Sequence, residues 1–161
     1  MSLLDCVLNP DTGCIDCPAI PFIPATPPHL DVTPNPGWNA SANSVSMLDG
    51  DVHTVFQINS SLGAVACGFK SVRNRLTIPE TINYAFYFQS VAGLLFASVV
   101  ELGHTRVADV EVDPSATFEI RRLAGQVLFL IDGIVVYRST VRSSGALVVN
   151  ACMYLAGDSI A

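Results

Sequence analysis

Asp109, Glu111 and Asp113 stand at every second position in the run D-V-E-V-D, a spacing that on a β-strand sets three carboxylates along one face. Two carboxylates about 5 to 10 Å apart, one protonated and one ionised, are what glycoside hydrolysis uses. Val110 and Val112 fill the alternate positions, so the simpler reading is a half-buried strand with its valines in the core and its acids in water. The chain is therefore expected not to be an enzyme. Nucleophilic catalysis finds no better support. His29, His53 and His104 have no acid or cysteine at triad or metal-ligand spacing and read as surface residues, and no Gly-x-Ser-x-Gly elbow occurs.

Cysteine chemistry divides by position. Cys67 and Cys152 lie in apolar runs and read as small core residues. Cys6, Cys14 and Cys17 form a C-x7-C-x2-C cluster in a segment rich in proline. A disulfide among them, free thiols and a metal site all remain open. A metal would want a fourth ligand that the chain does not obviously supply, so no metal and no cofactor are expected. For binding, the candidate residues are the loop cations Lys70, Arg73 and Arg75, with His104 and Arg106, which could meet an anionic surface polysaccharide. Trp38, the single tryptophan, reads first as a packing residue and second as a ring for stacking on a sugar.

These residues need elements to position them, and the pattern is of strands throughout. Val52, Thr54, Phe56 and Ile58 alternate as on one face of a half-buried strand. Tyr84, Phe86 and Phe88 share a face, with Phe118 and Phe129 as further core candidates. Further runs are expected over 38–47, 64–69, 82–89, 94–101, 107–112 and 146–154, and 70–80 is the longest polar loop. Residues 116–139 read as an antiparallel meander. Its strands are separated by a Leu-Ala-Gly turn at 123–125 and by Asp132-Gly133, a pair suited to a two-residue hairpin because both central positions need positive φ. About ten strands with short connections and no sustained 3.6-residue period predict an all-β sandwich.

The chain has 161 residues, enough for one domain with a proper core. Half of them are hydrophobic and 14% are charged, an apolar surplus that suggests contact with other protein. A net charge of −6 with only eight Lys and Arg gives no phosphate-binding stripe, so nucleic acid is not an expected partner. The longest apolar candidate, 91–100, is too short to cross a bilayer and is broken by Gly93 and Ser98, so no membrane insertion is expected. The first residues, MSLLDCVLNP, lack the basic start and apolar run of a secretory signal, which predicts synthesis in a cytoplasm.

Eight of the ten prolines fall within residues 1–36, together with four aspartates and no Lys or Arg. Proline at this density excludes a helix and a central strand and favours an extended course. A solvated acidic linker is the plain alternative. The preferred expectation is a docking arm, residues 1–36, that lies along a partner chain or a sister copy, with Ile15, Ile20, Phe22 and Ile23 as apolar anchors and the sandwich occupying 37–161.

The meander T-F-E-I-R-R-L-A-G-Q-V-L-F-L-I-D-G-I-V-V-Y-R-S and the following L-V-V-N-A-C-M-Y-L-A-G-D-S-I resemble the C-terminal half of concanavalin A-like lectin/glucanase jelly rolls. G-W-N-A-S-A-N-S-V at 37–45 and Y-A-F-Y-F at 84–88 are similar to versions of that domain found in phage tail and baseplate proteins. Neither the Asp and Asn metal loop of the legume lectins nor the Glu-x-Asp-x-x-Glu type of motif of the glucanases has a counterpart. The resemblance implies an antiparallel jelly-roll β-sandwich in a phage virion structural protein of the tail or tail tip. In that role the arm would fasten a lectin-like domain to other virion proteins and sister copies, most readily as a trimer, and the domain would bind host cell-surface glycan. A capsid decoration protein and a non-viral glycan-binding module are the alternatives.

Overall fold

Phenylalanine occupies the inward positions of five different strands, and the two sheets close over those rings. In the computed structural model the described residues are 37–38, 40–58, 63–74, 76, 78–155 and 158–160, with the backbone of two short strands nearer the N-terminus. The chain divides into two units, Met1–Thr33 and Pro34–Ala161. In the first, strands β1 (Val7–Leu8) and β2 (Ile15–Asp16) pair antiparallel, Val7 opposite Asp16 and Leu8 opposite Ile15. Ile15 is described there by its backbone alone. Ile20, Phe22, Ile23, Cys6, Cys14 and Cys17 lie outside the described residues.

The second unit holds β3 (Ala40–Asn43), β4 (Val52–Phe56), β5 (Ala64–Ser71), β6 (Tyr84–Val91), β7 (Leu94–Glu101) and β8 (His104–Val112). It continues with β9 (Phe118–Leu123), β10 (Gln126–Ile131), β11 (Ile134–Arg142) and β12 (Leu147–Met153), and one 3-10 turn covers Pro79–Thr81. One sheet has the order β11-β10-β9-β4 and the other β3-β12-β5-β6-β7-β8, with every neighbouring pair antiparallel. This is an all-β jelly-roll sandwich. The expected meander is present as β9-β10-β11. The strand expected over 38–47 is confined to Ala40–Asn43, while β8 and β11 extend further than their apolar cores suggested, through His104 and to Arg142.

Phe56, Phe86, Phe88, Phe118 and Phe129 are all 4% exposed or less. Their rings meet mainly edge to face, with centroids 4.6 Å apart for Phe88 and Phe118 and 5.3 Å for Phe86 and Phe129, the geometry that ring quadrupoles favour. Removing one such ring costs roughly 3–5 kcal/mol in comparable cores. Central β5 is buried on both faces. Its Gly68 has a physical reason to be glycine, since a Cβ there would stand 1.9 Å from the Tyr84 carbonyl oxygen on the neighbouring strand. On the face of the six-stranded sheet turned away from the phenylalanines, Ala66, Ile82, Ala85 and Cys152 form a second small cluster, against which Trp38, Tyr87 and Val100 pack.

Two buried polar groups tie the strands together. Glu101, fully buried at the end of β7, accepts hydrogen bonds from the Tyr137 hydroxyl at 3.1 Å, from Arg106 Nε at 3.2 Å and from the Ser139 hydroxyl. Arg122 is 2% exposed and donates from Nε to the Gly50 carbonyl at 2.6 Å and from Nη1 to the Gly145 carbonyl at 2.8 Å. It thereby holds two turns that are far apart in sequence.

Candidate functional site

Strand alternation decides what the second face of the six-stranded sheet displays. With Phe86 and Phe88 turned inward, Tyr87 and Gln89 of β6 turn outward, and on β7 Ser98 and Val100 do the same. The adjoining strand β8 is the sheet edge and does not run regularly. Its pairing with β7 slips between Ala97 and Val99 and again between Val99 and Val100. Each slip places an extra residue on β8, which is a β-bulge. At the first, Asp109 takes a left-handed backbone, φ 47°, a conformation that aspartate adopts more readily than most residues.

That backbone turns Asp109 over the sheet. Its amide donates to Ser98 Oγ at 3.0 Å, and its Oδ1 accepts from the Ser98 hydroxyl at 3.3 Å and from Gln89 Nε2 at 3.1 Å. Tyr87, Thr105 and these three side chains border a depression of about 580 Å³. Beside it the Trp38 ring lies 5.9 Å from that of Tyr87 and 5.5 Å from that of Tyr154, so the polar group adjoins an aromatic one. Burial raises the Tyr87 hydroxyl above its ordinary value of 10.0, and nearby Tyr154, Asp109 and Glu80 push it the same way. Tyr87 is thus a neutral hydroxyl at physiological pH. The arrangement combines aromatic ring faces with a carboxylate, a carboxamide and hydroxyls, groups able to exchange hydrogen bonds with a polyhydroxy ligand.

The cations expected to bind do not assemble into one site. Lys70 is not a loop residue: it belongs to β5, is 1% exposed, and donates from Nζ to the Leu76 carbonyl oxygen. The strand continues two residues beyond its apolar run, and the Leu76 carbonyl returns to meet the ammonium. Arg106 sits in the second bulge of β8 with Nε on buried Glu101, so its charge is already compensated. Arg73 is exposed in the turn after β5, and His104 is exposed at the start of β8. Arg75 lies outside the described residues.

The three acids of D-V-E-V-D take separate parts. Asp109 belongs to the depression. Glu111 is exposed on the edge strand, opposite Phe96. Asp113 closes the following turn, where the Ser115 hydroxyl at 2.6 Å and the Ser115 amide at 2.8 Å hold its carboxyl below the ordinary value. Val112 packs against the core as expected, whereas Val110, on the same face opposite Ala97, is 38% exposed on this edge strand. Gln89 and Ser98 were not singled out from sequence. Their signal was present, as polar residues in otherwise apolar strands, whereas the bulge at Asp109 leaves no mark in local composition. Among the described residues no three His, Cys, Asp or Glu side chains converge to hold a metal ion.

No protein-family model matches the sequence, and no curated protein does either. Among solved structures, a β-glucanase of Bacillus licheniformis is similar at 12% identity and a TM-score of 0.40, over 73% of this chain and 59% of that one. A native glycosidic hydrolase is similar at 12% identity and a TM-score of 0.38, over 70% of this chain and 56% of that one. The chain thus spans less than two thirds of the length of either, and no residue role passes from them to it.

Proposed function

We propose that the protein is a non-enzymatic attachment protein of a phage-like particle, of the tail or tail tip, whose sandwich binds a neutral host-surface glycan at the Tyr87 depression. The observation that carries the glycan part is the lining of that depression. It offers ring faces and hydrogen-bonding groups, but among the described residues only one carboxylate, Asp109, where hydrolysis would use two. The lining holds a carboxylate and no cation among the described residues, which favours a neutral sugar over an anionic one. The particle setting is supported by the composition of residues 1–36 and by the resemblance of 37–45 and 84–88 to phage tail domains.

Titration calorimetry of the full chain with polysaccharide extracted from a candidate host tests the binding. Saturable heat is expected, weakened at least tenfold by Tyr87→Ala and by Asp109→Asn and unchanged by Arg73→Ala. Binding that survives the first two substitutions while failing with the third would return the site to the loop cations. Mass spectrometry of purified particles tests the setting, and a chain absent from them would remove it.

A further inference from the structure

Each sheet ends in two edge strands, and an open edge invites pairing with another chain unless something blocks it. On the six-stranded sheet β8 is blocked by its two bulges and by Asp109 and Glu111. Strand β11 is different. It reads I-V-V-Y-R-S-T-V-R with no acid, and Ile134, Val135 and Val141 are 70%, 43% and 40% exposed.

Beside it, where the register slips between the start of β10 and the second half of β11, runs a groove of about 480 Å³ bordered by Leu123, Thr140, Arg138 and Arg142. Each guanidinium is steadied by a neutral acceptor, Arg138 Nη1 by Gln126 Oε1 at 2.7 Å and Arg142 Nη1 by the Ala124 carbonyl at 2.9 Å. No acid lines the groove. Arg106 and Arg121, by contrast, are bonded to Glu101 and Glu119 at 3.2 and 2.7 Å. Two arginines with no acid partner among the described residues, flanked by exposed aliphatic side chains along a strand, suit a segment that is acidic and apolar by turns.

The chain itself contains one. Residues 1–36 hold Asp5, Asp11, Asp16 and Asp31 and no Lys or Arg, interspersed with Ile, Leu, Val and Phe. We infer that the Arg138–Arg142 groove receives the acidic N-terminal segment of a second copy, so that copies link arm to edge. This rests on the reading of residues 1–36 as a docking arm.

Sedimentation velocity of the full chain tests it. The wild type is expected to associate at low salt and to dissociate at about 0.5 M, where screening shortens the reach of charges to a few Å. Arg138→Glu with Arg142→Glu should weaken association at least tenfold while leaving the thermal melt intact. Adding Asp11→Arg and Asp31→Arg to that variant should restore it. Association indifferent to the groove pair but lost with the two aspartate changes alone overturns the groove and leaves the docking arm standing. A wild type monomeric under all conditions overturns both. Heparin binding that the groove pair abolishes, without rescue by the charge swap, would make the groove a polyanion site and overturn the inference.

Discussion

Cys67 and Cys152 sit on neighbouring strands yet face opposite sides of the sheet, Cys67 in the phenylalanine core and Cys152 in the smaller outer cluster. Both are buried. Burial, reinforced by Cys152, pushes the Cys67 thiol up to about 12, and burial raises Cys152 to about 11. A thiol held protonated and out of water is a poor nucleophile. Native protein treated with N-ethylmaleimide at pH 8 should therefore leave both unmodified on peptide mapping, and both should be labelled in denaturant. Native labelling of Cys152 would mean that the outer cluster opens readily. These two were legible in the sequence because an apolar strand context is a strong signal for burial. Lys70 was misread for the complementary reason: a lysine following Phe69 looks like the start of a loop, and nothing local reveals that the chain returns to cover it.

At the scale of the element, four hairpins share one device. Ala92-Gly93, Leu102-Gly103, Ala124-Gly125 and Asp132-Gly133 all have positive φ at both positions, the two-residue turn whose twist matches that of the strands. The last two were legible in the sequence, and only Asp132-Gly133 is a pair that composition alone marks as this turn. Asp132 also accepts the Thr117 amide on its carboxylate at 2.8 Å and donates its own amide to the Thr117 carbonyl at 2.8 Å, which fastens the hairpin to the loop before β9. Leucine pays most for this backbone, and Leu102 is 45% exposed, so little packing is lost with it. Leu102→Asn should stabilise the protein by roughly 0.5–1 kcal/mol, read as a higher urea midpoint with unchanged slope. A lower midpoint would show that the Leu102 side chain contributes more than its exposure suggests. Bulges are the opposite case from hairpins. Those in β8 create the candidate site, and because they depend on pairing with β7 rather than on local sequence, the site was harder to read than the fold.

For the molecule as a whole, the alternation of apolar residues carried the sandwich, its strand order in the meander and its aromatic core. The polar face followed only once the strands were in register. The same burial that builds the core sets an alkaline limit. Cys67 and Cys152 are raised from 9.0 to about 12 and 11, while Tyr84, Tyr87 and Tyr137 are raised from 10.0, each chiefly by loss of water. A raised folded value favours the neutral form, so this contribution to stability is complete below about pH 9 and is lost as pH climbs through the folded values. Urea midpoints should hold up to about pH 9 and decline steadily towards pH 12. A midpoint unchanged at pH 11.5 would count against so dry a core. Finally, β12 lies between β3 and β5, pairing Ala151 with Ala42 on one side and with Cys67 on the other. During synthesis β3 therefore has no partner in its sheet, and β5 remains an open border, until residues 147–153 clear the ribosome. β12 follows the other five strands of its sheet along the chain, so that sheet stays unfinished until β12 has been made.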